Sequence, residues 1–220
     1  MNLNRRNFVV ATASVLMMST RAVAAEDTGT GLGILPELLK ARGIAENDLK
    51  QVHLLAKYMA GTASPFPINL PKIDGQYNAL VAAMNDWLTG LAAAIQQPRP
   101  LDSRKWLTKA ETCIAQAKAF DDEVQRLRAQ AGASAVRGSS SPKVAPVLEK
   151  VLLPGSAPFQ TIQTTIDQST VAQRKAAADQ LQSATWKNSE AVLATGEAAT
   201  APQPTGGKRA VTGPAPTSTP

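Results

Sequence analysis

Between residues 77 and 127 the apolar side chains keep helical time more strictly than anywhere else in this chain. Tyr77, Val81, Met84, Leu88, Leu91 and Ile95 follow one another at steps of four and three, and Trp106, Ala110, Cys113, Ala117, Phe120, Val124 and Leu127 repeat that rhythm. Such spacing gathers apolar groups into one stripe along an α-helix. Between the two runs stands Pro98-Arg99-Pro100, and proline removes a backbone donor and clashes with the preceding turn. The spacing predicts an antiparallel helical hairpin over about residues 76–96 and 103–130. Asp74 or Gly75 opens the first helix and Asp102 or Ser103 caps the second. Two helices alone leave half of each seam in water, so further helices must cover them. The expected fold is an all-α antiparallel bundle of four to five helices built round this hairpin.

The flanking segments supply candidates for the cover. Pro36 suits the first turn of a short helix ending near Arg42, where Gly43 would close it in a left-handed conformation. A second helix from Glu46 would carry Leu49, Val52, Leu55, Ala56 and Met59 on one face and stop at Gly61. Residues 62–73 hold Pro65, Pro67 and Pro71 and read as an extended surface loop, pinned on one side by the alternating Phe66, Ile68 and Leu70. Residues 132–143 read as a Ser/Gly-rich linker, and residues 144–153 as a short helix ended by Pro154-Gly155. From Phe159 one long helix is expected to about residue 195. It is firmly apolar at Phe159, Ile162 and Ile166, then weakly so at Ala177, Leu181, Ala184 and Val192, with Gln173 and Asn188 among them. That polar half would pack weakly or need a partner. Residues 196–220 contain five prolines and four glycines and are expected to be a disordered tail.

The N-terminus carries the clearest functional signal. Arg5 and Arg6 are followed, after one residue, by Phe8, which resembles the twin-arginine export motif. The apolar stretch of residues 8–18 falls short of the roughly 20 residues needed to span a bilayer, so it reads as a signal and not an anchor. Arg21 precedes Ala22-Val23-Ala24-Ala25, a small-residue cleavage site. Cleavage near Ala24 or Ala25 would divide the chain into a signal peptide (1–25), a helical domain (26–195) and the tail (196–220). The expected location is the periplasm. An ordinary secretory signal is the alternative, and it also leads out of the cytoplasm.

Composition narrows the chemistry. The formal charge of +6 includes Arg5, Arg6 and Arg21, and without them 20 basic residues face 17 acidic ones, a balance of +3. With no basic cluster interleaved with aromatics, no nucleic-acid partner is expected. Cys113 is the only cysteine and His53 the only histidine, so thiol or histidine-rich metal sites cannot be assembled and no metal or cofactor is expected. Cys113 lies on the second seam and reads as a small core residue. His53-Leu54-Leu55-Ala56-Lys57 faintly resembles a phosphotransfer histidine, but phosphorelay kinases are cytoplasmic and a flank position on an amphipathic helix is the preferred reading. Asp121-Asp122-Glu123 reads as surface charge, and the serines of residues 139–141 have no histidine nearby in sequence. The chain is not expected to be an enzyme by itself.

Val52, Leu55, Ala56, Tyr58, Met59, Ala60 and Gly61, then Leu70, Tyr77, Ala79, Leu80, Trp87 and Leu91, resemble the small subunit of membrane-bound sugar and polyol dehydrogenase complexes over about residues 52–95. That resemblance implies a cofactor-free helical subunit that accompanies a flavin-bearing catalytic subunit through the twin-arginine route. The leading expectation is therefore an exported, non-catalytic accessory or escort subunit with a protein partner and no integral membrane anchor. Two alternatives stay open: an envelope assembly or secretion-apparatus component resembling helical minor subunits of conjugative systems, and a periplasmic binding protein for a small apolar ligand. The oligomeric state is left open by the sequence.

Overall fold

The computed structural model describes residues 32–61, 67–131 and 142–200, with side chains to residue 195. The export residues Arg5, Arg6, Phe8, Ala22 and Ala24 lie outside this range, as do Phe66, most of the expected linker and residues 201–220. Seven helices and no strand are present among the described residues. They are α1 (Leu35–Ala60), α2 (Leu70–Gln96), α3 (Ser103–Gln130), α4 (Val144–Leu152), α5 (Ala157–Gln168), α6 (Val171–Ser183) and α7 (Ser189–Thr200). The chain is all-α and folds as a helical bundle, with seven helices among the described residues where four or five are expected.

The hairpin is α2 and α3. Contacts Lys72 to Glu123, Tyr77 to Phe120, Asp86 to Lys109 and Trp87 to Trp106 run in opposite senses along the two helices, which makes them antiparallel. Asp102 caps α3 by accepting from the Lys105 amide at 3.3 Å. All thirteen seam residues are buried. Tyr77 and Phe120 meet edge to face, with ring centroids 5.6 Å apart. Around α2 the other helices supply the missing cover: α6 packs along it, α1 and α7 lie beside it, and α4 bridges α1 and α3.

Three boundaries differ from expectation. Gly43 does not end a helix; α1 continues through it, because Leu38, Ala41, Ala45, Leu49 and Val52 form one uninterrupted buried face. Burial of that face outweighs the roughly 1 kcal/mol that an interior glycine costs a helix. Next, α2 starts at Leu70, not near Asp74. Asn69 accepts from the Lys72 amide at 3.1 Å, and Pro71 occupies the first turn, where its missing donor is harmless. Finally, the single helix expected over residues 159–195 is three helices. α6 restarts at a capping box, Thr170 with Gln173, and a non-helical stretch at residues 185–188 separates α6 from α7. The polar half also packs better than expected, burying Ala177, Ala178, Leu181, Ala184, Trp186 and Val192.

The glycines of α1 and α2 make a testable pair. A Cβ at Gly43 would meet nothing within 4 Å, so Gly43→Ala is expected to stabilise the protein by about 0.5–1 kcal/mol. A Cβ at Gly90 would lie 2.9 Å from Cη2 and 3.2 Å from Cζ3 of the rigid Trp106 ring. There, overpacking of about 1–3 kcal/mol outweighs the gain in helix propensity, and Gly90→Ala is expected to destabilise. Urea midpoints of the two variants should move in opposite directions.

Candidate main-chain clamp

The polar side chains that enter the bundle fall into two groups. The first ties helices together through charge. Asp48 of α1 is 2% exposed and accepts from Arg128 of α3 at 2.8 Å. Burial pushes the Asp48 carboxyl above its usual range, the Arg128 guanidinium pulls it partly back, and Asp121 nearby adds to the rise. Asp121 is itself buried, contrary to the expected surface position. Its two oxygens accept from the amides of Val144 and Ala145 at 3.3 and 2.9 Å, so it caps α4 from another helix. Burial raises this carboxyl too, and those amides offset part of the rise.

Glu123, also read as surface charge, is buried at 8% exposure. Its Oε1 accepts from Lys72 Nζ at 2.9 Å and Arg126 Nη2 at 2.7 Å, and its Oε2 from Arg126 Nε at 2.7 Å. The Arg126 fork holds the carboxyl down to about 2. A depressed carboxyl contributes stability above its unfolded value, near 4.5, and loses it as pH falls toward 2. Because Lys72 and Arg126 are largely exposed, that contribution is on the order of 1 kcal/mol. Glu123→Gln should therefore unfold at lower urea than the parent at pH 7, and the gap should narrow below about pH 4.

His53 stands at α1's flank, its Nε2 hydrogen-bonded to Asp74 Oδ1 on α2 at 2.8 Å. Cys113 is buried in the seam, and burial pushes its thiol up to about 12, which leaves almost no thiolate at neutral pH. No cluster of three or more His, Cys, Asp or Glu with metal-holding geometry occurs among the described residues.

The second group does something different: it reads polypeptide backbone. Asn78 and Asn85 are seven residues apart, two turns of α2, and so face the same way. Asn85 accepts from the Trp186 amide at 2.7 Å and donates to the Trp186 carbonyl at 3.0 Å. Asn78 accepts from the Ser189 amide at 2.8 Å and donates to the Ser189 hydroxyl at 3.0 Å. Between them the Tyr77 hydroxyl donates to the Lys187 carbonyl at 3.2 Å, and Arg42 of α1 donates to the Thr185 carbonyl at 3.1 Å. Burial raises the Tyr77 phenol, so it remains a donor at any ordinary pH.

Four side chains thus hold five main-chain groups across residues 185–189. A side-chain amide has one donor and one acceptor side, and it can therefore satisfy a residue's N–H and C=O together, as a neighbouring β-strand would. This explains how residues 185–188 are held non-helical against α2, with both main-chain groups of buried Trp186 and the carbonyls of Thr185 and Lys187 satisfied. Asn188 then starts α7, accepting from the Ala191 amide at 2.9 Å.

Of the clamp, sequence reasoning identified only Tyr77, and only as core. The i, i+7 repeat of asparagine beside the seam was the available signal for the rest, together with the Thr170-x-x-Gln173 box and the capping Asn188. Of the buried acids, neither Asp48 nor Asp121 announces its partner, since Arg128 and Val144 lie 80 and 23 residues away.

No helix among the described residues is long and apolar enough to cross a membrane. No family model, no curated protein and no solved structure matches the chain.

Proposed function

We propose that this chain is an exported, non-catalytic accessory or escort subunit of a periplasmic protein complex, with a dehydrogenase as the partner class that the resemblance over residues 52–95 implies. The observation that carries the reading is the outer face of α1. Leu39, Leu54 and Tyr58 are 41%, 59% and 61% exposed and fall within an arc of about 100° on one helix, opposite its buried face. Lys40, Lys50 and Lys57 stand among them. Exposed aromatic and aliphatic groups on one face are what a protein-docking surface needs, and the interspersed lysines suit a partner with an acidic rim. The twin-arginine-like residues Arg5 and Arg6 support export of an already folded chain, alone or with its partner.

Purification of the native protein from its own periplasm tests this. The parent is expected to elute within a larger assembly. Leu54→Glu together with Tyr58→Glu should release it while leaving its helical circular dichroism unchanged, because both side chains are already in water. A parent protein that purifies as a lone monomer would overturn the proposal.

A further inference from the structure

We infer that the Asn78/Asn85 face of α2 is an exchangeable seat for extended polypeptide, filled in this chain by its own residues 185–189 and open to a segment of the same kind from a protein partner. This inference goes beyond the accessory role and rests on a different face of the molecule.

The first argument is what the seat recognises. All but one of its six hydrogen bonds to residues 185–189 go to main-chain atoms, and every polypeptide has those. Side-chain selectivity is confined to two positions. At one, Trp186 is 4% exposed within the core; at the other, Ser189 presents its hydroxyl to Asn78. Lys187 is read only through its carbonyl. The matching ligand is therefore an extended aromatic-x-x-Ser segment entering a helix, a form of recognition in which backbone bonds supply affinity and one anchor supplies specificity.

The second argument is that the resident segment is an imperfect occupant. Trp186 Nε1 is buried and has no hydrogen-bond partner among the described residues. An indole N–H in that condition makes no hydrogen bond to the protein in return for its burial. An anchor of equal shape without the N–H would keep the packing and escape that loss. A competing segment can thus bind more tightly than the one already there, which favours its displacement. Beyond Ser189 the strap is held through α7 by buried Val192 and partly buried Leu193, where the helix lies against α1 and α2.

The test uses the full chain with a specific protease site inserted between Ala184 and Thr185 and cut after folding, so that every native residue is retained. Fluorescent synthetic peptides spanning residues 185–200 are then added, one natural and one with 2-naphthylalanine in place of Trp186. Both are expected to displace the resident piece, the naphthyl peptide binding roughly ten-fold tighter, the size expected for relieving one orphaned donor. Asn85→Ala should weaken both by roughly thirty-fold or more, whereas a peptide carrying Lys187→Ala should bind like its parent.

If the cut protein keeps its circular dichroism yet neither releases its segment nor takes up peptide, the inference fails. It fails equally if the naphthyl peptide binds no tighter than the natural one. Concentration-dependent dimers of the uncut chain that Asn85→Ala abolishes would overturn the partner assignment in favour of exchange between copies. Because the α1 face is untouched in these experiments, a seat that fails here leaves the accessory role standing, and a chain that purifies alone leaves the seat standing.

Discussion

Replacing Arg128 by alanine is expected to destabilise the protein by about 3–5 kcal/mol, because it strands a buried carboxylate without its cation. Asp48 has nowhere to turn: its side chain is 3% exposed and Asp121 contributes further negative charge. The pH dependence identifies the cause. Burial already raises the Asp48 carboxyl in the folded state, and removal of Arg128 takes away the main opposing influence, so the folded value climbs further above the unfolded one. At a pH below the unfolded value Asp48 is neutral in both states and the variant's deficit is smallest. As pH rises the folded state must either retain a proton or bury an unpaired charge, and stability falls by up to about 1.4 kcal/mol per unit until the folded value is passed. Urea midpoints at pH 4 and pH 7 should show a larger gap between parent and variant at pH 7. An equal gap at both would mean that lost packing, and not the stranded charge, is responsible. Combining Arg128→Met with Asp48→Asn should recover most of the loss, since neither side chain then carries charge into the interior.

Trp87→Ala is expected to cost a similar amount, about 3–5 kcal/mol, for a different reason. Trp87 is fully buried and among the largest side chains in the core. It also donates from Nε1 to the Trp106 carbonyl at 3.2 Å, joining α2 to the first turn of α3. Alanine there leaves a large cavity and removes the second donor of a carbonyl that also belongs to the α3 ladder. Trp87→Phe keeps most of the volume and should lose only about 1–3 kcal/mol. Thermal or urea unfolding of the two variants, compared with the parent, separates the cavity from the hydrogen bond. A Trp87→Ala protein as stable as the parent would mean that the α2–α3 contact at Trp87 and Trp106 does not hold the core together.

The hairpin was legible because the features that make it are local. A seam of apolar groups every three or four residues, two prolines and a capping aspartate lie within one stretch of chain and act over a turn or two of helix. Gly43 differs, because there a local helix breaker meets a buried face that continues on both sides, and the continuing burial prevails. After residue 168 weak apolar periodicity conceals a break that the Thr170 capping box marks. The clamp was harder still. Asn78 and Asn85 look like any polar residues beside a seam until residues 185–189 arrive alongside, about a hundred positions later in the chain.

By itself the sequence determined that this chain is all-α, that its core is organised round the seams of residues 77–127, and that Cys113 and the seam tryptophan Trp106 point inward. Those properties follow from periodicity, which each helix carries alone. Only the tertiary structure decided which polar residues matter: that Asp48 finds Arg128, that Asp121 caps a helix on the far side of a connecting segment, and that two asparagines serve as a strand for a stretch of backbone. An apolar side chain needs only an interior, and any interior will do. A buried charge or amide needs one particular partner at hydrogen-bond distance, and that distance exists only once the helices have packed.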